Sequence, residues 1–323
     1  MRDCRLQRGT AEVATPPTIT GMTMDHSLFT PLDGVRVLSL ALNLPGPAAL
    51  MRCRAWGAEC IKFEPPAASG RSADPMSLYA PAAYAEMHEG ITRVQGDLKS
   101  AEGRAQLDEA LAQTDVLLTS FRPAALDKLG LGWTALHQRH PRLSMVAIVG
   151  APGPRAEEPG HDLTYLAESG LITGCDLPPT LYADMTGSLM ASEAVLQALL
   201  QRHAHGAGVR LEVALSTAAE YLALPRRWGL TQPHGAVGGA HAGYRVYPCR
   251  DGRVALAALE PHFAQRLCAA AGLDADASHA MFRSSTHMAI AKFVASLDCT
   301  ALEALARQHD LPLHGMRDPP RSE

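Results

Sequence analysis

Leu32-Asp33-Gly34-Val35-Arg36-Val37-Leu38-Ser39-Leu40 reads as a turn that feeds a buried strand. Asp33-Gly34 is a turn signal, and the apolar run behind it is too short and too β-rich for a helix. Leu44-Pro45-Gly46-Pro47 then reads as a break. Residues 48–56 have helical composition, and Gly57 stands where a glycine commonly ends a helix. Glu59-Cys60-Ile61-Lys62-Phe63-Glu64 returns as a second strand. Strand, helix and strand within about 30 residues make a βαβ unit, the connection that parallel strands require.

Working outward, the alternation repeats. Residues 100–113 read as a helix with Leu107 and Leu111 on one face, and Thr114-Asp115-Val116-Leu117-Leu118-Thr119 as another buried strand. Helices around 124–129 and 133–139 and a strand over 143–149 follow. This pattern predicts an α/β fold, a Rossmann-like doubly wound large domain. The first turn carries no GxGxxG, which argues against a nicotinamide cofactor. Residues 187–203 form a long Ala- and Leu-rich helix stopped by His205-Gly206-Ala207-Gly208, before a strand over 209–214 and a helix over 216–224. Beyond the glycine-rich residues 235–243, Tyr244-Arg245-Val246-Tyr247-Pro248-Cys249 pairs with residues 254–259 across Arg250-Asp251-Gly252-Arg253. Helices over 261–272, 287–297 and 300–308 complete a smaller α+β domain. The expected organisation is a disordered leader over 1–30, with Met22 or Met24 as an alternative start, a large domain over 31–234, a small one over 235–315 and a tail over 316–323.

Composition excludes several classes. Of 323 residues 47% are hydrophobic and 19% charged, enough for a sizeable core and against wholesale disorder. A formal net charge of −4 lacks the basic footprint of a nucleic-acid binder. No apolar run approaches the ~20 residues of a membrane helix. Cys4, Cys53, Cys60, Cys175, Cys249, Cys268 and Cys299 are scattered without a CxxC pair, so buried, inert thiols in a reducing cytoplasm and no metal are expected.

Two stretches carry candidate chemistry. Gly160-His161-Asp162-Leu163-Thr164-Tyr165 and Leu181-Tyr182-Ala183-Asp184-Met185-Thr186-Gly187-Ser188 each set an ionisable side chain beside small or turn-forming residues. A histidine and a carboxylate facing one cleft suit moving a proton on and off a carbon next to a carbonyl. The same carboxylate suits attack on a thioester. Structural readings stand beside these: Asp184 as the cap of a helix beginning near Gly187, and Glu260-Pro261 as a cap followed by proline at the first helical position.

The chain resembles the class III CoA-transferase family, in particular its α-methylacyl-CoA racemase branch. Leu32 to Leu38, Pro45-Gly46-Pro47 and Trp56-Gly57-Ala58-Glu59-Cys60-Ile61-Lys62-Phe63-Glu64-Pro65-Pro66 are similar to that family's opening signature. Gly96-Asp97-Leu98-Lys99, Asp115-Val116-Leu117-Leu118, Phe121-Arg122-Pro123 and Leu129-Gly130-Leu131-Gly132 follow in the family's order. Gly160-His161-Asp162 with Tyr165 resembles the racemases' GHDxNY motif, and Leu259-Glu260-Pro261-His262-Phe263 resembles a small-domain motif.

The resemblance implies His161, Asp184 and Glu260 as catalytic residues, with Glu260 orienting the imidazole. CoA phosphates call for cations, for which Arg71, Arg93 and Arg122 are the candidates, Arg122 being the best placed by resemblance. Phe121, Gly160, Asp162 and Tyr165 are further expected CoA contacts, CoA being part of the thioester substrate and no separate cofactor being needed. An interlocked homodimer is implied as well. Backbone N–H groups near Gly187 or in residues 235–243 are the expected enolate donors. Departures are Glu89-Gly90-Ile91-Thr92-Arg93 where relatives carry a basic stretch, the short Gly150-Ala151-Pro152-Gly153-Pro154 turn, and an end at Glu323. The expected function is a 2-methylacyl-CoA racemase working through an enolate. The alternatives are an acyl-CoA:carboxylate CoA-transferase with Asp184 as nucleophile, and a degenerate, non-catalytic CoA-thioester-binding subunit.

Overall fold

The structure is a computed structural model, and it describes residues 30–66, 72–273 and 280–318. The expected leader lies outside the described residues. Contacts divide the chain into two units, Met1–Tyr165 with Pro178–Ala218, and Leu166–Leu177 with Ala219–Glu323.

The first unit is built on six parallel strands. β1 (Arg36–Ser39) leads through α1 (Pro45–Ala55) to β2 (Glu59–Glu64). Two short helices, α2 (Met76–Tyr79) and α3 (Pro81–Met87), precede β3 (Thr92–Gln95). After α4 (Ala101–Ala112) come β4 (Val116–Thr119), α5 (Pro123–Lys128), α6 (Trp133–Arg139) and β5 (Ser144–Val149). α7 (Asp162–Glu168) and the 24-residue α8 (Tyr182–His205) then lead to β6 (Arg210–Ala214) and α9 (Leu215–Leu222).

The strand order is β3-β2-β1-β4-β5-β6, with every pairing parallel. That is the doubly wound order expected from the βαβ alternation, with its switch point between β1 and β4. β4 and β5 are buried at every residue, as strands covered on both faces must be.

Two sequence expectations change here. Leu44-Pro45-Gly46-Pro47 does not break the chain. α1 starts at Pro45, because a proline in the first turn lacks only an N–H that has no intrahelical partner there. The long helix starts at Tyr182 rather than near Gly187, so Asp184 is the third helical residue. Gly187 is a packing glycine instead: a Cβ there would lie 2.3 Å from Leu215 Cδ2. α8 buries Ala183, Gly187, Ser188, Ala191, Ala194, Val195 and Ala198. α1 answers with buried Gly46, Ala48 and Ala49, so two small-residue faces pack together. α8 ends on Gly206 at φ +77°, whose N–H bonds to the Arg202 carbonyl at 2.8 Å.

The second unit holds α10 (Leu224–Arg227), the hairpin β7 (Tyr244–Cys249) and β8 (Gly252–Ala257), α11 (Pro261–Ala270), α12 (Ser284–Ala295), α13 (Cys299–His309) and β9 (Leu313–Arg317). β8 pairs antiparallel with both β7 and β9. Val254, Leu256, Leu267, Ile290, Val294 and Leu302 share its core. β9 takes up Met316 and Arg317 from the expected tail. Residues 166–177 and 219–234 group with this unit, so the division falls at Ala218 and not at 234. No helix among the described residues is long and apolar enough to cross a membrane.

Candidate active site

The loops leaving the C-terminal ends of β1, β4 and β5 enclose a cleft of about 160 Å³ in the first unit. Leu42 and Asn43 come from the first loop, with Pro45 at the start of α1; Ser120, Phe121 and Arg122 come from the second, and Gly150 from the third, next to Val149 at the end of β5. This is the switch point, where neighbouring loops diverge and leave a crevice. His161, Gly160, Tyr165 and Asp184 complete the lining.

Hydrogen bonds tie these walls together. The Leu42 N–H donates to Ser120 Oγ at 3.0 Å, joining the first two loops. Asn43 sits at φ +63°, and its N–H donates to Asp74 Oδ1 at 3.1 Å. Asp74 also accepts the Met76 N–H at 3.0 Å and pairs with Lys62 Nζ at 2.9 Å. Lys62 donates to the Ala41 carbonyl as well. Glu64, 4.0 Å from Lys62 Nζ, accepts the hydroxyls of Ser72 and Tyr84. Lys62 and Asp74 are wholly buried, and burial pulls the lysine's pKa down against the opposing pull of Asp74 and Glu64. The sequence reading missed this network. Its signal was Lys62 and Glu64, two residues apart and so on one face of a strand with no polar face of its own.

His161 precedes α7. Its N–H donates to Thr164 Oγ1 at 3.0 Å, and that hydroxyl donates back to the His161 carbonyl at 2.7 Å. Thr164 thereby closes the first turn of α7 as the third residue of a capping box does. The imidazole is exposed and makes no hydrogen bond among the described residues. Asp162 points inward, 4% exposed, and its Oδ1 accepts the Asp184 N–H at 3.0 Å. One buried carboxylate thus fastens the His161 loop to the start of α8. Tyr165 is buried, and a Cβ at either Gly150 or Gly160 would lie 2.4 Å from its hydroxyl, so a side chain at either place would have to displace the ring.

Asp184 differs from every other carboxylate of the cleft region. Its side chain accepts no hydrogen bond among the described residues, so it does not cap α8. Burial pushes its pKa up from 3.8 to about 6, the Asp162 carboxylate adds to the rise, and His161 opposes it. Such a group gains and loses a proton near neutrality, where a general acid or base works best.

The other expected residues fall in several places. Arg122, exposed at the start of α5, and Phe121 line the cleft. Arg93 lies on the edge strand β3 with its guanidinium 5.8 Å from the Tyr84 ring centre, and it is not part of the lining. Arg71 lies outside the described residues. Glu260 belongs to the second unit, exposed before α11, and its side chain makes no capping hydrogen bond. Most of the expected enolate donors are otherwise engaged. Gly187 lies inside a helical ladder. The N–H groups of Gly235, Gly238, Ala240, His241 and Gly243 all bond within their own segment. Buried, inert cysteines are also only part of the outcome, since Cys175 is exposed and Cys249 half-buried.

Comparison with known proteins follows the same line. The chain is 30% identical over 269 residues to a probable fatty acyl-CoA transferase of Mycobacterium tuberculosis, a match covering 74% of this chain and 68% of that one. It is 30% identical over 263 residues to the alpha-methylacyl-CoA racemase of Mus musculus, covering 76% of this chain but 66% of the relative. The crystal structure of a hypothetical protein from Mycobacterium tuberculosis superposes with a TM-score of 0.76 at 26% identity, over 90% of this chain and 85% of that one. A protein named a transferase and one named a racemase are thus both among the chain's relatives. Residues 32–321 match the profile of CoA-transferase family III, and the chain belongs to that family.

Proposed function

We propose that this protein is an acyl-CoA racemase that exchanges the α-proton of a 2-methylacyl-CoA thioester in the cleft of the first unit. The observation that carries the proposal is the lining of one cleft by His161 and by a carboxylate held near pKa 6. A thioester α-proton can be removed by such a group if the enolate oxygen is stabilised. Of the first-turn N–H groups of α8, that of Asp184 is taken by Asp162 and that of Met185 by the Leu181 carbonyl, which leaves those of Tyr182 and Ala183 as the donors in this proposal. One of His161 and Asp184 takes the proton and the other returns one to the opposite face. Glu260 is kept as a third catalytic residue of this proposal.

CoA enters as part of the substrate. Arg122 at the rim offers a planar fork of donors to its phosphates. The homodimer belongs to the same proposal. A second reading has its own observation, the transferase name of the Mycobacterium tuberculosis relative. There Asp184 attacks the thioester carbonyl and expels CoA thiolate, leaving a mixed anhydride. The thiolate then attacks the aspartyl carbonyl, releasing the donor as a free carboxylate and leaving an aspartyl-CoA thioester. An incoming carboxylate takes the CoA from it by the reverse pair of steps and frees Asp184.

Incubation with a 2-methylacyl-CoA in deuterated water distinguishes them. Racemase chemistry predicts deuterium at the α-carbon, reduced by about 10²- to 10⁴-fold in His161→Ala and in Asp184→Asn. Transfer of CoA to a free carboxylate that survives His161→Ala would establish the transferase. CoA-thioester binding with neither reaction would establish a binding subunit.

A further inference from the structure

In the second unit two cysteines and an aspartate converge, Cys249 and Asp251 from one turn and Cys299 from 50 residues beyond Cys249. Cys249 ends β7, Asp251 sits in the two-residue turn before β8, and Cys299 is the first residue of α13. The two Sγ atoms are 3.5 Å apart, and Cys249 Sγ is 3.6 Å from Asp251 Oδ1. All three donor atoms lie within 4.8 Å of one another.

The backbone holds this set in place. Asp251 Oδ1 accepts the Cys299 N–H at 2.7 Å. The Arg250 N–H donates to the Leu297 carbonyl at 3.0 Å, and its guanidinium pairs with Asp298 at 2.6 Å. Asp298 in turn caps α13 by accepting the Ala301 N–H at 2.8 Å. The turn and the helix start are thus locked to each other independently of the thiols, and the three donors need no backbone movement to meet.

Tetrahedral zinc holds thiolates at about 2.3 Å and carboxylate oxygens at about 2.0–2.2 Å, which places sulfur pairs ~3.8 Å and sulfur–oxygen pairs ~3.5 Å apart. The Sγ–Sγ separation of 3.5 Å and the Cys249 Sγ–Asp251 Oδ1 separation of 3.6 Å lie within a few tenths of an ångström of these values, and the third pair lies within 4.8 Å. We infer that Cys249, Asp251 and Cys299 form a binding site for a zinc-type divalent cation, with solvent as the fourth ligand.

Two sulfur donors favour a thiophilic metal over magnesium or calcium. Cys299 is buried at the floor, whereas half-buried Cys249 and exposed Asp251 leave an entry path. The eleven-residue α13 presents its N-terminus to the Cys299 thiolate and offsets part of the negative charge. A bound ion would staple the β7–β8 turn to α13, and the sequence hides the site because Cys299 lies 48 residues beyond Asp251.

The test uses the full chain, reduced with a phosphine and stripped with a chelator, then titrated with cobalt(II) and back-titrated with zinc(II). One equivalent of cobalt with thiolate-to-metal charge-transfer absorption, displaced by zinc, is expected. Cys249→Ser and Asp251→Asn should each weaken binding by about tenfold or more. Asp251→Asn keeps an acceptor for the Cys299 N–H, so its folding is preserved while its charge is lost. Zinc should raise the thermal midpoint of the parent chain and not that of Cys249→Ser. Absence of saturable uptake at micromolar metal overturns the inference. So does uptake unchanged in Cys249→Ser, or a Cys249–Cys299 disulfide in chain purified without oxidant, read as the loss of two hydrogens by mass spectrometry.

Discussion

Asp74 and Asp184 stand in the same unit, near the same loop, and are treated in opposite ways. Asp74 is fully buried yet neutralised by Lys62 and by the N–H groups of Asn43 and Met76. Asp184 is partly buried and receives no hydrogen bond on its carboxylate, with Asp162 as a like-charged neighbour. The first arrangement satisfies a charge and immobilises the loop above it. The second leaves a charge wanting and available to a substrate. Burial alone therefore does not mark a reactive carboxylate; burial without a partner does.

The largest effect expected from breaking this contrast is on the satisfied side. Lys62→Met removes the one cation that, among the described residues, pairs with Asp74 and Glu64, and stranded buried charges of this kind cost about 3–5 kcal/mol. Urea unfolding should show a loss of that size. Any residual native fraction should also bind substrate poorly, because Ala41 to Asn43 lose the lysine that holds them. A loss below about 1 kcal/mol would mean that water reaches the network, as it reaches surface pairs.

How much of this was legible beforehand follows from which forces act locally. The βαβ alternation and the 3.6-residue periodicity are local, so the parallel sheet, α4, α6 and the β7–β8 hairpin could be read from the chain. β3 and β9 could not, since Thr92-Arg93-Val94-Gln95 and Leu313-His314-Gly315-Met316-Arg317 lack a continuous apolar run. Their partners β2 and β8 supply the ordering. Prolines at 45 and 47 and glycine at 187 misled for one reason. Each reads as a breaker in isolation, and only the neighbours show a helix start or a close approach. His161 and Asp184 were visible through their motifs. The bond from Asp162 to the Asp184 backbone and the Lys62 network were not, because side-chain partners distant in sequence leave no spacing signal.

On the unsatisfied side the sign reverses. Asp184 has a folded pKa of about 6 against an ordinary 3.8, so the native state keeps a proton that the unfolded chain has already lost between those pH values. Stability is then full below pH 4, falls as pH rises through the folded pKa, and levels off above it. Asp184→Asn lacks this penalty. It should be more stable than the parent by about 1–3 kcal/mol at pH 7.5 and equal to it near pH 3.5. Denaturant titrations at the two pH values check this. A variant equally stable or weaker at pH 7.5 would show that Asp184 has a partner in solution.

The smallest change is the most selective. Asp162 does two things to Asp184: its Oδ1 holds the backbone N–H, and its charge raises the neighbouring carboxyl. Asp162→Asn keeps the acceptor and removes the charge. The start of α8 should stay in place, with unfolding stability within about 1 kcal/mol of the parent. The acid limb of the pH–rate profile, set near 6 by the ionisation of Asp184, should move to lower pH, while the rate above pH 7 changes little. Burial remains the larger cause of the raised value, so the limb should stop short of 3.8. A limb that does not move would assign the whole shift to desolvation and leave Asp162 only its positioning hydrogen bond.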